Sequence, residues 1–380
     1  MDFGLFMYCT IGRRHELEGG MAGRNPQLYQ RMLDEIAQYA QFADQAGYFG
    51  LGHPEHHLQI EGFEISNDPC LMAMWIGQHS QRMKVITCGF VSTTNNPLQV
   101  AEKVATLDHM LQGRFGVGLV RGYQARWVEN FKVQPELTAV GPWNAKQPAD
   151  ELNRAYFEEF VDVVLKALRE ETLQHRGQFW NFPPQDFVNP HDHPVYVNYG
   201  RGVDADMRVS EVGIAPSTFQ REIPIYGGFS QSLTTAKFWA RHKGRPIILS
   251  NNTEFLKLLW SEWTEEAKRW GHDVQPGDQA CWGGIMICAE TDAKAQALLA
   301  DYEWFWNTWP TPFGQGMPAL LVGSPDTLNK QIEAVAREVP VKEAFLLIPQ
   351  GLHAPEQLLE SLDLFATKVM PNHADVPSGT

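Results

Sequence analysis

Residues 97–133 read PLQVAEKVATLDHMLQGRFGVGLVRGYQARWVENFKV. Apolar residues at helical spacing over Leu98–Leu111 give an amphipathic helix, which Gly113 ends. A six-residue apolar strand follows, Phe115–Val120, and it stops on Arg121 and Gly122 before an aromatic-rich loop. A helix, a strand, and a charged residue at the strand's carboxyl end make one unit of a (β/α) barrel presenting its site. Arg121 at that position points to an anionic ligand. Gly116, Gly118 and Gly122 do not make a dinucleotide fingerprint, because the last spacing is wrong and two of the glycines lie inside the strand.

Working outward, the same alternation runs along the chain. Phe3–Cys9 is a first strand; a long helix ends at Gln45, with Leu28, Met32, Ile36, Tyr39 and Phe42 on one face, Asn25 as N-cap, Pro26 at its first position and Gly47 closing it. Further strands are expected at Tyr48–Gly52, Val85–Ser92, Pro224–Tyr226, Pro246–Leu249, Gly283–Cys288 and Ala344–Ile348. Helices are expected at Pro69–His79, Glu151–Glu170, Leu233–Ala240, Glu254–Trp270, Ala293–Phe305, Pro325–Glu338 and Pro355–Val369. Thr308–Met317 reads as a Pro/Gly/aromatic loop, and Trp304, Trp306 and Trp309 lead into it as a lid for an apolar substrate. Residues 171–222 lose all periodicity and read as an insertion between the fourth helix and the fifth strand. Eight strands with helical crossovers favour an α/β TIM (β/α)8 barrel over a doubly wound sheet. The expected organisation is one domain over 1–371 with a flexible tail at 372–380.

The chain has 380 residues, 43% of them hydrophobic and 20% charged, and a formal charge of -14, which opposes nucleic acid or an anionic membrane as partner. Five cysteines without a CxxC pair fit neither a disulfide framework nor a zinc ribbon. With no basic, apolar leader and no apolar run near about 20 residues, a cytoplasmic protein is expected.

Three places carry candidate chemistry. HPEHH, His53–His57, follows the second strand and offers a base or a cofactor contact; it lacks the HExxH spacing of a zinc site, so no metal is expected. The plain alternative is a turn in which His53 and Glu55 bond to backbone. GGFSQSLTTAKFW, 227–239, opens a helix whose N–H groups and hydroxyls would hold a phosphate; the alternative is a helix capped by Ser230 or Ser232 with no ligand. GFSQS also misses the GxSxG nucleophile elbow, since position 232 is Ser. Arg121 and Arg154 either complete a phosphate cradle or simply pair with carboxylates. His191-Asp192-His193 reads as surface loop.

EHH at 55–57, NPLQVAEKVATLDHMLQGRF at 96–115, RGYQARW at 121–127, PIILSNN at 246–252, KRWGHD at 268–273, VGSPDT at 322–327 and LDLFATKVMP at 362–371 together resemble the bacterial luciferase-like flavin-dependent monooxygenases. The pattern is similar to that of the luciferase alpha subunit in particular. The resemblance implies reduced FMN delivered by a separate flavin reductase, a flavin peroxide formed with O2, and oxidation of a small apolar aldehyde or ketone. It implies His56 as the catalytic histidine. Cys88 and Gly89 would lie against the isoalloxazine ring, often through a non-prolyl cis peptide. Arg121 and Arg154 would contact phosphate, with Ser230, Gln231 and Thr234 on the phosphate loop. Glu55, His57, Tyr123, Gly228 and Ser232 complete the expected flavin-binding set, and a homodimer is expected because many relatives pair through their second and third helices. Three departures stand out: Val120 replaces a cysteine, Ser230 replaces a phosphate-loop glutamate and Asn251 replaces a tryptophan. The loop before VGSP is also shorter, which weakens the case for light emission. Two other readings remain, a deazaflavin-dependent hydride-transfer enzyme and a non-catalytic flavin-binding subunit.

Overall fold

The structure, a computed structural model, describes residues 1–228 and 232–374. Nine parallel strands form its main sheet: β1 Asp2–Phe6, β2 Gly50–His53, β3 Lys84–Val91, β4 Phe115–Val120, β5 Ile225–Gly227, β6 Arg245–Ile248, β7 Cys281–Cys288, β8 Leu320–Gly323 and β9 Glu343–Leu347. Eight of them close a barrel. β1 pairs with β2 and β9, β9 with β7, and the ring is completed by Ile247 and Ile248 of β6 opposite Cys281 and Trp282 of β7. That last pairing excludes the doubly wound sheet, which would leave two open edges.

β8 was not expected. Its four residues pair with the second half of β7, Leu320 opposite Ile285, on the flank where β6 pairs with the first half. The run Ala319–Gly323 is too short to announce itself beside the Gly-Ser-Pro turn that follows. Two other expectations also need correction. The loop after Arg121 folds as a helix, Ala125–Phe131, burying Trp127 and Val128. The first strand stops at Phe6 rather than Cys9, because Cys9 takes a positive φ of 58° that extended chain does not allow.

The principal helices are α1 Pro26–Ala46, α2 Pro69–Gln78, α3 Pro97–Met110, α4 Pro148–Arg169, α5 Leu233–Arg241, α6 Thr253–Arg269, α7 Asp292–Thr308, α8 Pro325–Glu338 and α9 Pro355–Lys368. Local chemistry sets their ends: Asn25 accepts hydrogen bonds from the Gln27 and Leu28 amides, and Gly47 closes α1 at φ 89°. α7 runs to Thr308, three residues past its expected end.

The chain forms two compact units. The first comprises residues 1–90, 114–119 and 224–374 and holds the barrel strands, whose interior is filled by large side chains set against glycines. A methyl group added at Gly116 would meet Tyr226, and one at Gly52 would meet Phe6 and Phe345. The Tyr226 and Phe345 rings pack edge to face at 5.4 Å. At the amino end of the barrel Glu343 accepts from Tyr226 Oη at 3.2 Å and Arg245 Nε at 3.0 Å. The second unit, 91–113 and 120–223, packs α3 against α4 and carries the irregular stretch. The turn at 175–180 within it is held by one carboxylate: Glu159 of α4 accepts the amides of Gln178, Phe179 and Trp180 and lies 3.0 Å from His175 Nε2. The irregular stretch contains a two-residue antiparallel ladder, His175–Arg176 with Asn181–Phe182, and a five-residue helix, Pro194–Asn198. Among the described residues no helix is long and apolar enough to cross a membrane.

Candidate functional site

In the first unit the HPEHH segment leaves the carboxyl end of β2, where barrel sites are built. The chain then doubles back, with the His56 amide donating to Ser66 O at 2.8 Å and Ile65 N–H to Cys9 O at 2.8 Å. This return brings Glu64 beneath His56, with Oε2 3.0 Å from His56 Nδ1. The approach is bent relative to an ideal ring N–H donor, so it is a close contact of carboxylate and ring rather than a formed hydrogen bond. The same oxygen accepts a hydrogen bond from Trp309 Nε1 at 2.8 Å. The Trp309 ring stacks on Phe63 at 5.1 Å with an interplanar angle of 11°. His56 and Glu64 are both buried.

The other two histidines differ. His57 Nε2 lies 2.9 Å from Glu55 Oε1 at a half-buried position. His53 is fully buried, and desolvation pushes its pKa down to about 4, so it is neutral near pH 7. Its Nε2 finds no partner among the described residues. The negative charge of Glu64 also reaches Cys9, whose thiol is pushed up to about 12, chiefly by burial. Among the described residues no three His, Cys, Asp or Glu side chains converge as a metal ion requires.

The Cys88–Gly89 peptide bond is cis. Cys88 is buried and desolvation raises its thiol pKa, which keeps it neutral. Gly89 is dictated by packing: a Cβ there would sit 2.1 Å from the carbonyl oxygen of Gly118 on β4. Beyond β5, Gly228 is half-buried and Ser232 is the N-cap of α5. Ser232 Oγ accepts from the Thr235 amide at 3.2 Å and so caps the helix, while Thr234 stands exposed in the first turn. Ser230 and Gln231 lie outside the described residues.

In the second unit, Arg121 pairs with a carboxylate, Asp150, and the charge of Arg154, one helical turn further along α4, acts on the same group. Arg121 Nη1 donates to Asp150 Oδ1 at 2.6 Å, and Asp150 Oδ2 accepts the Lys146 amide at 3.0 Å. Burial pushes the Asp150 carboxyl upward. The Lys146 amide and the charges of Arg121 and Arg154 more than offset this and hold it below the usual range. Gly122 takes φ 92° to turn the chain out of β4, with Val91 and Thr93 within 3 Å of where a Cβ would stand. Tyr123 Oη accepts from Gln124 Nε2 at 2.7 Å and its ring packs edge-on against Trp127.

The sequence did not single out Glu64, Asp150 or the anchoring of Trp309. Glu64 lies in Gly-Phe-Glu-Ile-Ser, a string that reads as a polar turn, and Asp150 lies in the first turn of α4, where an acidic residue suits the helix dipole anyway.

A closed parallel barrel with a buried histidine–carboxylate pair at the carboxyl end of β2 defines the class as an α/β-barrel enzyme fold. The chain belongs to the luciferase-like monooxygenase family, whose family model matches residues 1–343. Among curated relatives, the oxygenase component of the flavin-dependent trigonelline monooxygenase of Acinetobacter baylyi is 25% identical over 176 residues, 45% of this chain and 44% of that protein. The alkanal monooxygenase alpha chain of the Kryptophanaron alfredi symbiont is 25% identical over 286 residues, 74% of this chain and 67% of that one. The chain thus spans between about half and two thirds of these relatives' lengths. Among solved structures, the oxygenating constituent of 3,6-diketocamphane monooxygenase from Pseudomonas putida, in complex with FMN, has a TM-score of 0.71 at 18% identity, covering 98% of each chain. The coenzyme F420-dependent tetrahydromethanopterin reductase of Methanopyrus kandleri has a TM-score of 0.61 at 14% identity, covering 97% of this chain and 98% of that one. At these identities the likeness is one of fold.

Proposed function

We propose that this protein is the oxygenase component of a two-component system, taking reduced FMN from a separate flavin reductase and oxidising a small apolar aldehyde or ketone with O2. The observation that carries the reading is the buried His56, paired with Glu64 at the carboxyl end of β2, in a chain of this family. Bound reduced FMN would supply the two electrons that divide dioxygen between product and water. Each unit offers groups that suit such a ligand. The Arg121 guanidinium already pairs with the carboxylate of Asp150, and the charge of Arg154 acts on the same group, so both are cations of the kind that hold a phosphate. The first turn of α5, with Ser232 and Thr234, presents helix N–H groups of the kind that hold phosphate. Cys88 and Gly89 give a neutral wall for the flavin ring, and Glu55 with His57 a polar edge. His56 serves as acid/base through Nε2, the ring atom opposite the one turned to Glu64. Phe63, Trp306 and Trp309 form the apolar side of a substrate site that suits an uncharged carbonyl compound. A cytoplasmic location, where reduced cofactors are regenerated, fits the five free cysteines.

Turnover of a panel of aldehydes and ketones with reduced FMN under 18O2 tests this. One labelled oxygen atom should appear in the product, and His56→Ala should abolish turnover while leaving FMN affinity unchanged. Hydride transfer from a reduced deazaflavin without oxygen uptake would move the protein to the second reading. FMN binding with no turnover of any substrate would make it a flavin-binding subunit.

The homodimer belongs to the same proposal. α2 is apolar almost all round, and its outward Leu71 is 71% exposed beside half-buried Met74 and Trp75. Leu71→Glu should convert a dimer into a monomer in analytical ultracentrifugation, and an unchanged sedimentation coefficient would remove α2 from the interface.

A further inference from the structure

Glu64 is 1% exposed, and its backbone takes φ 54°, a conformation in which a side chain other than glycine is uncommon. A carboxylate so deeply buried is costly unless its partners repay it. The nature of those partners is informative. Glu159, the structural carboxylate of the second unit, gathers backbone amides and fixes a loop. Glu64 turns one oxygen toward a histidine ring nitrogen at 3.0 Å and an indole N–H at 2.8 Å. A carboxylate oxygen has two lone pairs, so a single atom can serve both. We propose that Glu64 is the positioning residue of the site. It fixes the His56 ring with a proton on Nδ1, and through Trp309 it latches the segment following α7 to the same atom.

This inference rests on the reading of His56 as the acid/base. Both ring nitrogens of a histidine can carry the proton, and only one arrangement leaves Nε2 as the atom that takes or gives a proton to a reacting group. A charge beside Nδ1 selects that arrangement. A bent approach of this kind is one that straightens as a reacting group engages the ring. The latch has a simple geometry: Phe63, the residue before Glu64, stacks on the Trp309 ring while Glu64 holds its N–H. Any displacement of 308–317 therefore pulls on the residue that orients His56.

The test reads the ring directly. Long-range 1H–15N NMR of the full-length chain with 15N-labelled histidine, the His56 signals identified by their loss in His56→Gln, reports which nitrogen is protonated. Wild type should show His56 protonated at Nδ1, and Glu64→Gln should shift it to a mixture or to the Nε2 form. Trp309→Phe, which keeps the stack and deletes the N–H, should leave His56 unchanged and speed amide exchange across 308–317 at least fivefold. Under turnover, Glu64→Gln should lower kcat more than about tenfold with KM and reduced-FMN affinity nearly constant, and Glu64→Asp should recover part of it. An unchanged His56 pattern in Glu64→Gln overturns the positioning role, and unchanged exchange in Trp309→Phe overturns the latch. The ring is observed without turnover. A shifted His56 in a protein with no oxygenase activity therefore rejects the activity alone, and an unshifted His56 in an active enzyme rejects the positioning role alone.

Discussion

Replacing Asp150 by Asn tests whether the paired arginines are a phosphate site. The cluster holds two positive charges and one negative, with the Arg121 side chain 32% exposed and that of Asp150 11% exposed. Asn keeps one acceptor oxygen, enough for the Lys146 amide, and gives up the bond to Arg121, which in Asp150 goes to the other oxygen, while the net charge rises by one. A phosphate carrying between one and two charges, held across the guanidinium at about 6 Å from the Asp150 carboxylate, is repelled by about 1 kcal/mol at the dielectric of water. Removing that repulsion tightens binding about fivefold. Against this, Asp150 holds Arg121 in place, and freeing its side chain costs a few tenths of that gain. The expected net effect is a three- to fivefold lower Kd for reduced FMN. Reduced riboflavin, which lacks the phosphate, should show no change. The assay is anaerobic fluorescence titration of both ligands at two salt concentrations, the gain shrinking at the higher one. Weaker FMN binding in Asp150→Asn, or an equal change for both flavins, would refute the argument and leave Arg121–Asp150 as an ordinary structural ion pair.

Two other outcomes concern stability. Glu16 is bonded by Arg31 at 2.5 Å, and this bond first, with the Arg13 amide, holds its carboxyl down at about 2. A depressed folded-state pKa means the contribution is present above the unfolded value near 4.5 and is lost as pH falls toward 2. Glu16→Gln should therefore cost about 1 kcal/mol at pH 7 after solvent screening, with the difference in Tm from wild type closing below pH 3; an equal deficit at both pH values would place the effect elsewhere. Gly89→Ala drives a Cβ into the Gly118 carbonyl, a backbone atom that cannot step aside, so soluble yield and Tm should collapse. A variant of ordinary Tm would show that β3 and β4 can separate without loss.

Much of the architecture was legible because its signals are local. Asn25-Pro26 and Gly47 bound α1, and the run from Pro97 to Val120 gave a helix, a turn and a strand in their observed order. What escaped depends on pairing across the chain. β8 exists because β7 is long enough to offer its second half as a partner. The helix Ala125–Phe131 forms around Trp127, whose burial no seven-residue window reveals. The candidate site divides the same way. His56 and Arg121 could be found from their places after strands, but Glu64 meets His56 only through a doubling-back of the chain, and Trp309 reaches it from 245 residues away. Asp150 was hidden by its suitability for a helix start.

β8 also bears on how this protein could acquire new substrates. Trp309 is tied to Glu64 on one side, and Leu320 is woven into the sheet on the other, so both feet of the span 310–319 stand on fixed ground. A span anchored in this way can be lengthened with little thermodynamic consequence, because doubling a flexible connection costs only about 0.6 kcal/mol. The barrel is closed by β6 and β7 without it. On the proposed function, substrate range would diversify by exchange of this one short span between its two anchors, as with interchangeable jaws on a common tool, while the strands stay as they are.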